Sequence, residues 1–82
     1  MNAPHLTPSG MIATALLRVH NRGRDAIERA NVAFYMQTES PAAYQHHMAQ
    51  LAKELTALDE AVKGLRALMA AQSEMATQTE AA

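Results

Sequence analysis

The chain has 82 residues, a formal net charge of −1 and no cysteine. This length allows one small domain, the near-neutral charge argues against a strongly basic nucleic-acid binder, and the lack of cysteine excludes disulfides and thiolate metal sites. The first ten residues do not resemble a secretory signal, and no apolar run approaches the roughly 20 residues of a membrane span. We therefore expect a cytoplasmic protein with no membrane span.

The N-terminal half predicts a short arm followed by one helix. Residues 1–8 are expected to be flexible, because Pro4 and Pro8 lack backbone donors and disfavour helix before them. Ser9 is a candidate N-cap for a helix that ends near Gln37. Glycine inside a helix costs about 1 kcal/mol relative to alanine. We expect the helix to continue through Gly23 in a weakened form, and a break there is the alternative.

Small and apolar residues of this first helix recur at alternating spacings of four and three. Such a spacing predicts one stripe along the helix: Ile12, Leu16, Val19, Gly23, Ala26, Ala30 and Ala33. An adjacent line broadens the apolar face: Leu16, His20, Ile27 and Phe34.

The segment 38–40 predicts a turn, with Ser40 as the cap and Pro41 as the first residue of a second helix. A connection this short makes the helices antiparallel neighbours. The second helix is predicted to run to about Ser73, within a hairpin that spans 9–76, and residues 77–82 are predicted to form a flexible tail. Large apolar residues follow its four-three alternation without interruption: Tyr44, Met48, Leu51, Leu55, Leu58, Val62, Leu65 and Met69.

The predicted fold class is all-α: an antiparallel two-helix hairpin of coiled-coil type, which dimerisation or a partner helix would complete to a bundle. Two helices can each bury only one stripe, so we expect apolar residues to remain exposed and to bind a partner. The alternative is that the residues beside the stripes widen the intramolecular core. The candidate partner-binding residues are Leu17, Tyr35, Met36, Tyr44, Met48, Leu51, Leu55, Leu58, Val62, Leu65, Leu68 and Met69.

The polar residues do not predict an active site. His46 and His47 are adjacent and point to different sides of a helix, which does not suit joint metal binding and favours solvated histidines. No spacing of serine, histidine and acid suggests a nucleophile with its base, so we expect no enzyme, no metal, no cofactor and no small-molecule substrate. Arg18, Arg22 and Arg29 share a helix face and form a candidate basic patch for nucleic acid. The alternative, a solvated or locally paired face, is favoured.

The stretch from Ala26 to Leu68 resembles a known family. A helix that ends near Met36 is followed by a polar turn and by a longer helix that opens with Ala43, Tyr44 and Gln45. The longer helix then carries Ala57, Leu58, Ala61 and Val62. This arrangement is similar to the small helical-hairpin co-chaperones of type III secretion needle subunits. The resemblance implies a cytoplasmic accessory protein that keeps an aggregation-prone helical subunit soluble.

The leading functional hypothesis is a non-enzymatic interaction module, a chaperone or adaptor that covers the apolar face of a helical protein such as a secretion-apparatus subunit. One alternative is a self-associating bundle, in which the partner is a second copy of the chain. Another is a small inhibitor of the phage type that binds a larger enzyme. A nucleic-acid binder that uses Arg18, Arg22 and Arg29 is a more distant alternative.

Overall fold

The protein is a hairpin of two long α-helices. The computed structural model describes residues 8–81, and the side chains of residues 10–74. Helix α1 spans Pro8–Glu39 and helix α2 spans Pro41–Ala81, and the two pack along each other. The Cα atoms extend over 62 × 30 × 14 Å, so the molecule is a single layer of helices. The predicted all-α hairpin is confirmed.

Helix α1 begins one residue earlier and ends two residues later than predicted. Pro8 opens the helix, which suits proline because the first helical residue needs no backbone donor, so Ser9 lies inside the helix and is not its N-cap. Residues 1–7 of the predicted arm lie outside the described part. The helix continues without a break through Gly23, as expected.

Helix α2 is longer than predicted. It continues past Ser73 to Ala81, so residues 77–81 of the predicted tail are helical, and Ala82 lies outside the described part. The segment after Ser73 contains neither glycine nor proline. Its alanines, glutamates, glutamine and methionine favour helix, and a four-three stripe is not required for the helix to continue.

Ser40 alone connects the two helices. Its backbone N–H donates to the Met36 carbonyl at 3.0 Å, which completes the last turn of α1, and its carbonyl accepts from the Tyr44 N–H at 2.8 Å. The Ser40 hydroxyl accepts a hydrogen bond from the Ala43 N–H at 3.2 Å. Ser40 is therefore the N-cap of α2, and Pro41 follows it as the first helical residue. The predicted cap is confirmed, and the turn is shorter than the predicted segment 38–40.

The contact between the helices is a narrow seam of alanines. Among the described side chains, the buried apolar residues are Ala15, Ala26, Ala33 and Ala61. Alanine lets two helices approach closely but buries little area, so this seam supplies a small share of the hydrophobic stabilisation that a core of leucines would supply. The larger side chains lie beside the seam.

The seam agrees with the predicted α1 stripe at Ala26 and Ala33, which are buried, and at Ile12, Val19 and Gly23, which are half-buried. It differs by one residue at the other two positions, since Leu16 and Ala30 are exposed and Ala15 and Arg29 take the inward positions. On α2, Met48, Leu55 and Met69 of the predicted line are exposed. The inward positions there follow the same alternation one residue earlier: Ala43, His47, Gln50, Glu54, Ala57 and Ala61. Small residues occupy the centre of the contact because two helices can pack closely over them, whereas leucines would hold the helices apart.

Neither helix, in the part of the chain that is described, has a segment long and apolar enough to cross a membrane.

Candidate protein-docking surface

Two lines of large apolar residues, one on each helix, turn to the same side of the hairpin. Each buried alanine is followed by a larger apolar residue, and one step along a helix is a rotation of about 100°. Because α1 and α2 run in opposite directions, this step turns residues of both helices toward the same side. The four residues that follow the alanines are Leu16, Ile27, Phe34 and Val62.

Direct proximity across the seam supports this arrangement. A Cβ atom placed on Gly23 would lie 4.0 Å from Cδ1 of Leu58. Gly23 belongs to the four-three line of Leu16 and Ile27 on α1, and Leu58 belongs to the line of Val62 on α2. The two lines therefore run next to each other on one side of the molecule.

On α1 this side is open to solvent. Leu16 is 54% exposed, and Ile27 and Phe34 are each 66% exposed. These side chains gain little from the hairpin itself. A fully buried side chain of this size would contribute about 1.5–3 kcal/mol, so covering this line offers a large driving force for binding.

On α2 the line of large apolar residues on the same side is less interrupted than on α1. Tyr44, Leu51, Leu58, Val62 and Leu65 are half-buried against the hairpin. Met48, Leu55 and Met69 are exposed, the last two to 49% and 54%. We call this surface the apolar side, which comprises Leu16, Ile27 and Phe34 of α1 and Tyr44, Met48, Leu51, Leu55, Leu58, Val62, Leu65 and Met69 of α2.

Four of the predicted partner-binding residues lie elsewhere. Leu17 and Tyr35 are exposed and point away from α2, because each is about half a turn from the alanine seam. Leu68 lines a groove on the opposite side of the hairpin, and Met36 is half-buried near the turn. The structure brings together the Tyr44 to Met69 line and does not bring these four residues to it.

The opposite side of the hairpin carries an open groove of about 760 Å³. Its lining includes Arg18 and Arg22 on α1 and Glu60 and Gly64 on α2. Both arginines are exposed. The groove combines these charged residues with apolar ones, including Met11 and Leu68, in contrast to the two lines of large apolar residues on the apolar side.

Arg29 does not belong to an open basic patch with Arg18 and Arg22. Its Nε lies 3.3 Å from Oε1 of Glu54, and its Nη2 donates to Oε2 of Glu54 at 3.3 Å. Its Nη1 lies 2.9 Å from Nδ1 of His47. An arginine can only donate, so in this contact Nδ1 accepts and the proton of a neutral ring is on Nε2. The Glu54 carboxylate neutralises the guanidinium, and the candidate patch is reduced to two residues.

The same cluster corrects the interpretation of His47. The sequence favoured a solvated histidine, but His47 lies in the seam, half-buried, next to Arg29. His46 is exposed, and the two rings meet edge to face with centroids 5.2 Å apart. Among the described residues no group of three or more histidines and acids is arranged to hold a metal ion.

The exposed back of α2 carries one ordinary surface ion pair. Nζ of Lys63 lies 3.1 Å from Oδ2 of Asp59, one turn earlier on the helix. The hydrogen bond to Asp59 and its charge, together with the charge of Glu60, raise the pKa of Lys63 above its usual value. A pair this exposed contributes little to stability.

The sequence does not predict Leu16, Ile27 and Phe34 as partner-binding residues. Their four-three spacing is visible, but it predicts a place in the intramolecular core. Alternation shows that residues share a face and does not show which of two adjacent lines is covered by the neighbouring helix. No protein-family model, curated protein or solved structure matches the chain.

Proposed function

We propose that this protein is a non-enzymatic interaction module, a cytoplasmic chaperone or adaptor that covers the apolar stripe of a helical partner with its apolar side. The observation that carries this proposal is the exposure of Ile27, Phe34 and Leu55 beside a seam whose fully buried residues, among the described side chains, are alanines. A third helix can lay its own apolar stripe along these two adjacent lines of large side chains, as amphipathic helices do in helix-in-groove recognition.

The composition of the apolar side suits helical partners whose surfaces differ in shape. Its α2 line has methionines at Met48 and Met69, whose unbranched side chains adapt to irregular partners. The resemblance to co-chaperones of type III secretion needle subunits points to the same class of client. A helical subunit that must stay soluble before assembly would shield its stripe against the apolar side.

The test is co-expression with a type III secretion needle subunit as the client, followed by purification through a tag on the client. We expect the wild-type chain to co-purify as a soluble complex. Ile27→Glu and Leu55→Glu each place a charge in the contact and should weaken the complex by at least about tenfold. Both positions are exposed in the hairpin, so far-UV circular dichroism should show unchanged helicity.

Leu17→Glu is the matched control, because it makes the same substitution on α1 on the face that points away from α2. This variant should retain the complex. If Leu17→Glu abolished co-purification while Ile27→Glu and Leu55→Glu left it intact, the docking surface would not be the apolar side.

A further inference from the structure

We infer that, without a client, the apolar side is covered by a second copy of this chain, in a four-helix bundle whose two turns lie at the same end. In this bundle α1 of one copy packs on α2 of the other. The inference rests on the proposed function in one respect, that the apolar side is the docking surface. A client helix would then have to displace the second copy.

The size of the apolar side fits a dimer. At 1.5 Å per residue it is about 38 Å long on α2, from Tyr44 to Met69, and about 27 Å long on α1, from Leu16 to Phe34, and each helix is about 10 Å wide. One copy therefore offers about 650 Å², within the roughly 600–1,000 Å² per partner of a standard stable interface. A single client helix would cover only about half of the combined width of the two helices.

The shapes of the two lines are complementary. The line on α1 has low points at Gly23 and Ala30, and its larger residues are Leu16, His20, Ile27 and Phe34. The line on α2 is large at every step. When α1 of one copy faces α2 of the other, the low points at Gly23 and Ala30 receive the leucines of α2, as knobs enter holes in helix bundles.

The charges select the orientation with both turns at one end. Helix α1 has four arginines against three acids, and α2 has three basic residues against five acids. Packing α1 on the partner's α2 pairs helices of opposite net charge. Turning one copy end for end would instead pair α1 with α1 and α2 with α2. Like charges repel and opposite charges attract, so the aligned arrangement is favoured.

The first measurement is the mass in solution, by light scattering over a range of concentrations. We expect twice the chain mass of 8.9 kDa. Leu55→Glu should raise the dissociation constant of the dimer at least about tenfold, because the symmetric interface contains the substitution twice. Leu17→Glu should leave the dissociation constant unchanged. A wild-type chain that stays monomeric at all concentrations would overturn the inference.

The second measurement decides the orientation. The chain has no cysteine, so Ala42→Cys, an exposed position next to the turn, provides a single site for a spin label. Aligned turns place the two labels within about 35 Å across the end of the bundle, whereas the end-for-end arrangement separates them by about 50 Å along the helices. Pulsed dipolar spectroscopy distinguishes these distances, and the longer one would overturn the inference.

The two proposals fail separately. If the chain is a monomer and the client complex forms through Ile27 and Leu55, the proposed function stands and the dimer does not. If the dimer forms with aligned turns, but Ile27→Glu and Leu55→Glu leave the client complex unchanged, the dimer stands and the proposed function does not.

Discussion

At the scale of single residues, polar contacts fix how the two helices align. Arg29 reaches across the seam to Glu54 and His47, which lie two turns apart on α2. Alanines can slide past one another with little cost, because neighbouring alanine positions are alike. A three-membered polar cluster has only one alignment in which all its contacts form, and such clusters can specify the alignment of helices.

Arg29→Ala is expected to destabilise the hairpin by about 1 kcal/mol, through loss of the half-buried ion pair and of the packing of the arginine stem. Chemical denaturation followed by circular dichroism measures this change. Arg24→Ala, on the exposed face of the same helix, is the control and should change the free energy of unfolding by less than about 0.5 kcal/mol. Equal effects of the two substitutions would show that the cluster does not contribute.

At the scale of the helices, the seam depends on small side chains. Ala26 and Ala61 are buried because the helices close over them, and this closeness in turn leaves the leucines and Phe34 at the side. The same spacing of four and three runs through both the alanine line and the leucine line of α2. Steric bulk therefore decides which line becomes the contact between the helices.

Ala61→Leu should destabilise the hairpin by about 1–3 kcal/mol, because the larger side chain forces the seam apart. Ala52→Leu is the matched control on α2, since Ala52 is exposed and leucine and alanine have similar helix propensities. Thermal unfolding of both variants measures the difference. If Ala61→Leu were as stable as Ala52→Leu, the seam would not be closely packed.

At the scale of the whole molecule, the hairpin is a flat layer with two unlike sides. The apolar side carries the large residues, and the opposite side carries an open groove lined by Arg18, Arg22 and Glu60. A single layer 14 Å thick between its Cα atoms has no interior beyond its seam. Its stability should therefore depend on what covers the apolar side.

The cost of Leu55→Ala is expected to depend on protein concentration. For a lone hairpin the loss should be about 1 kcal/mol, because half of this side chain is already exposed. Where a second copy covers the apolar side, the loss should rise to about 2–3 kcal/mol per chain. Denaturation curves at low and high concentration measure both values. For Leu17→Ala, on the face that points away from α2, the same small loss is expected at both concentrations.

The sequence by itself determined the helices and the turn. Ser40 is the cap and Pro41 is the first residue of the second helix. No strand-like alternation competes with the four-three spacing. Local chemistry was therefore enough to predict a two-helix hairpin. Helix ends were less well predicted, because a segment such as 74–81, which contains neither glycine nor proline, continues a helix without any apolar stripe.

Only the tertiary structure decided which face of each helix is covered. The sequence predicts two adjacent lines on α1 and a single line on α2, and the predicted core of α1 includes Leu16, which is exposed. The pairing of Arg29 with Glu54 and His47 joins residues 18 and 25 positions apart, and no local signal specifies it. The covered line depends on how closely two helices can approach, which is a property of the pair and not of either helix alone.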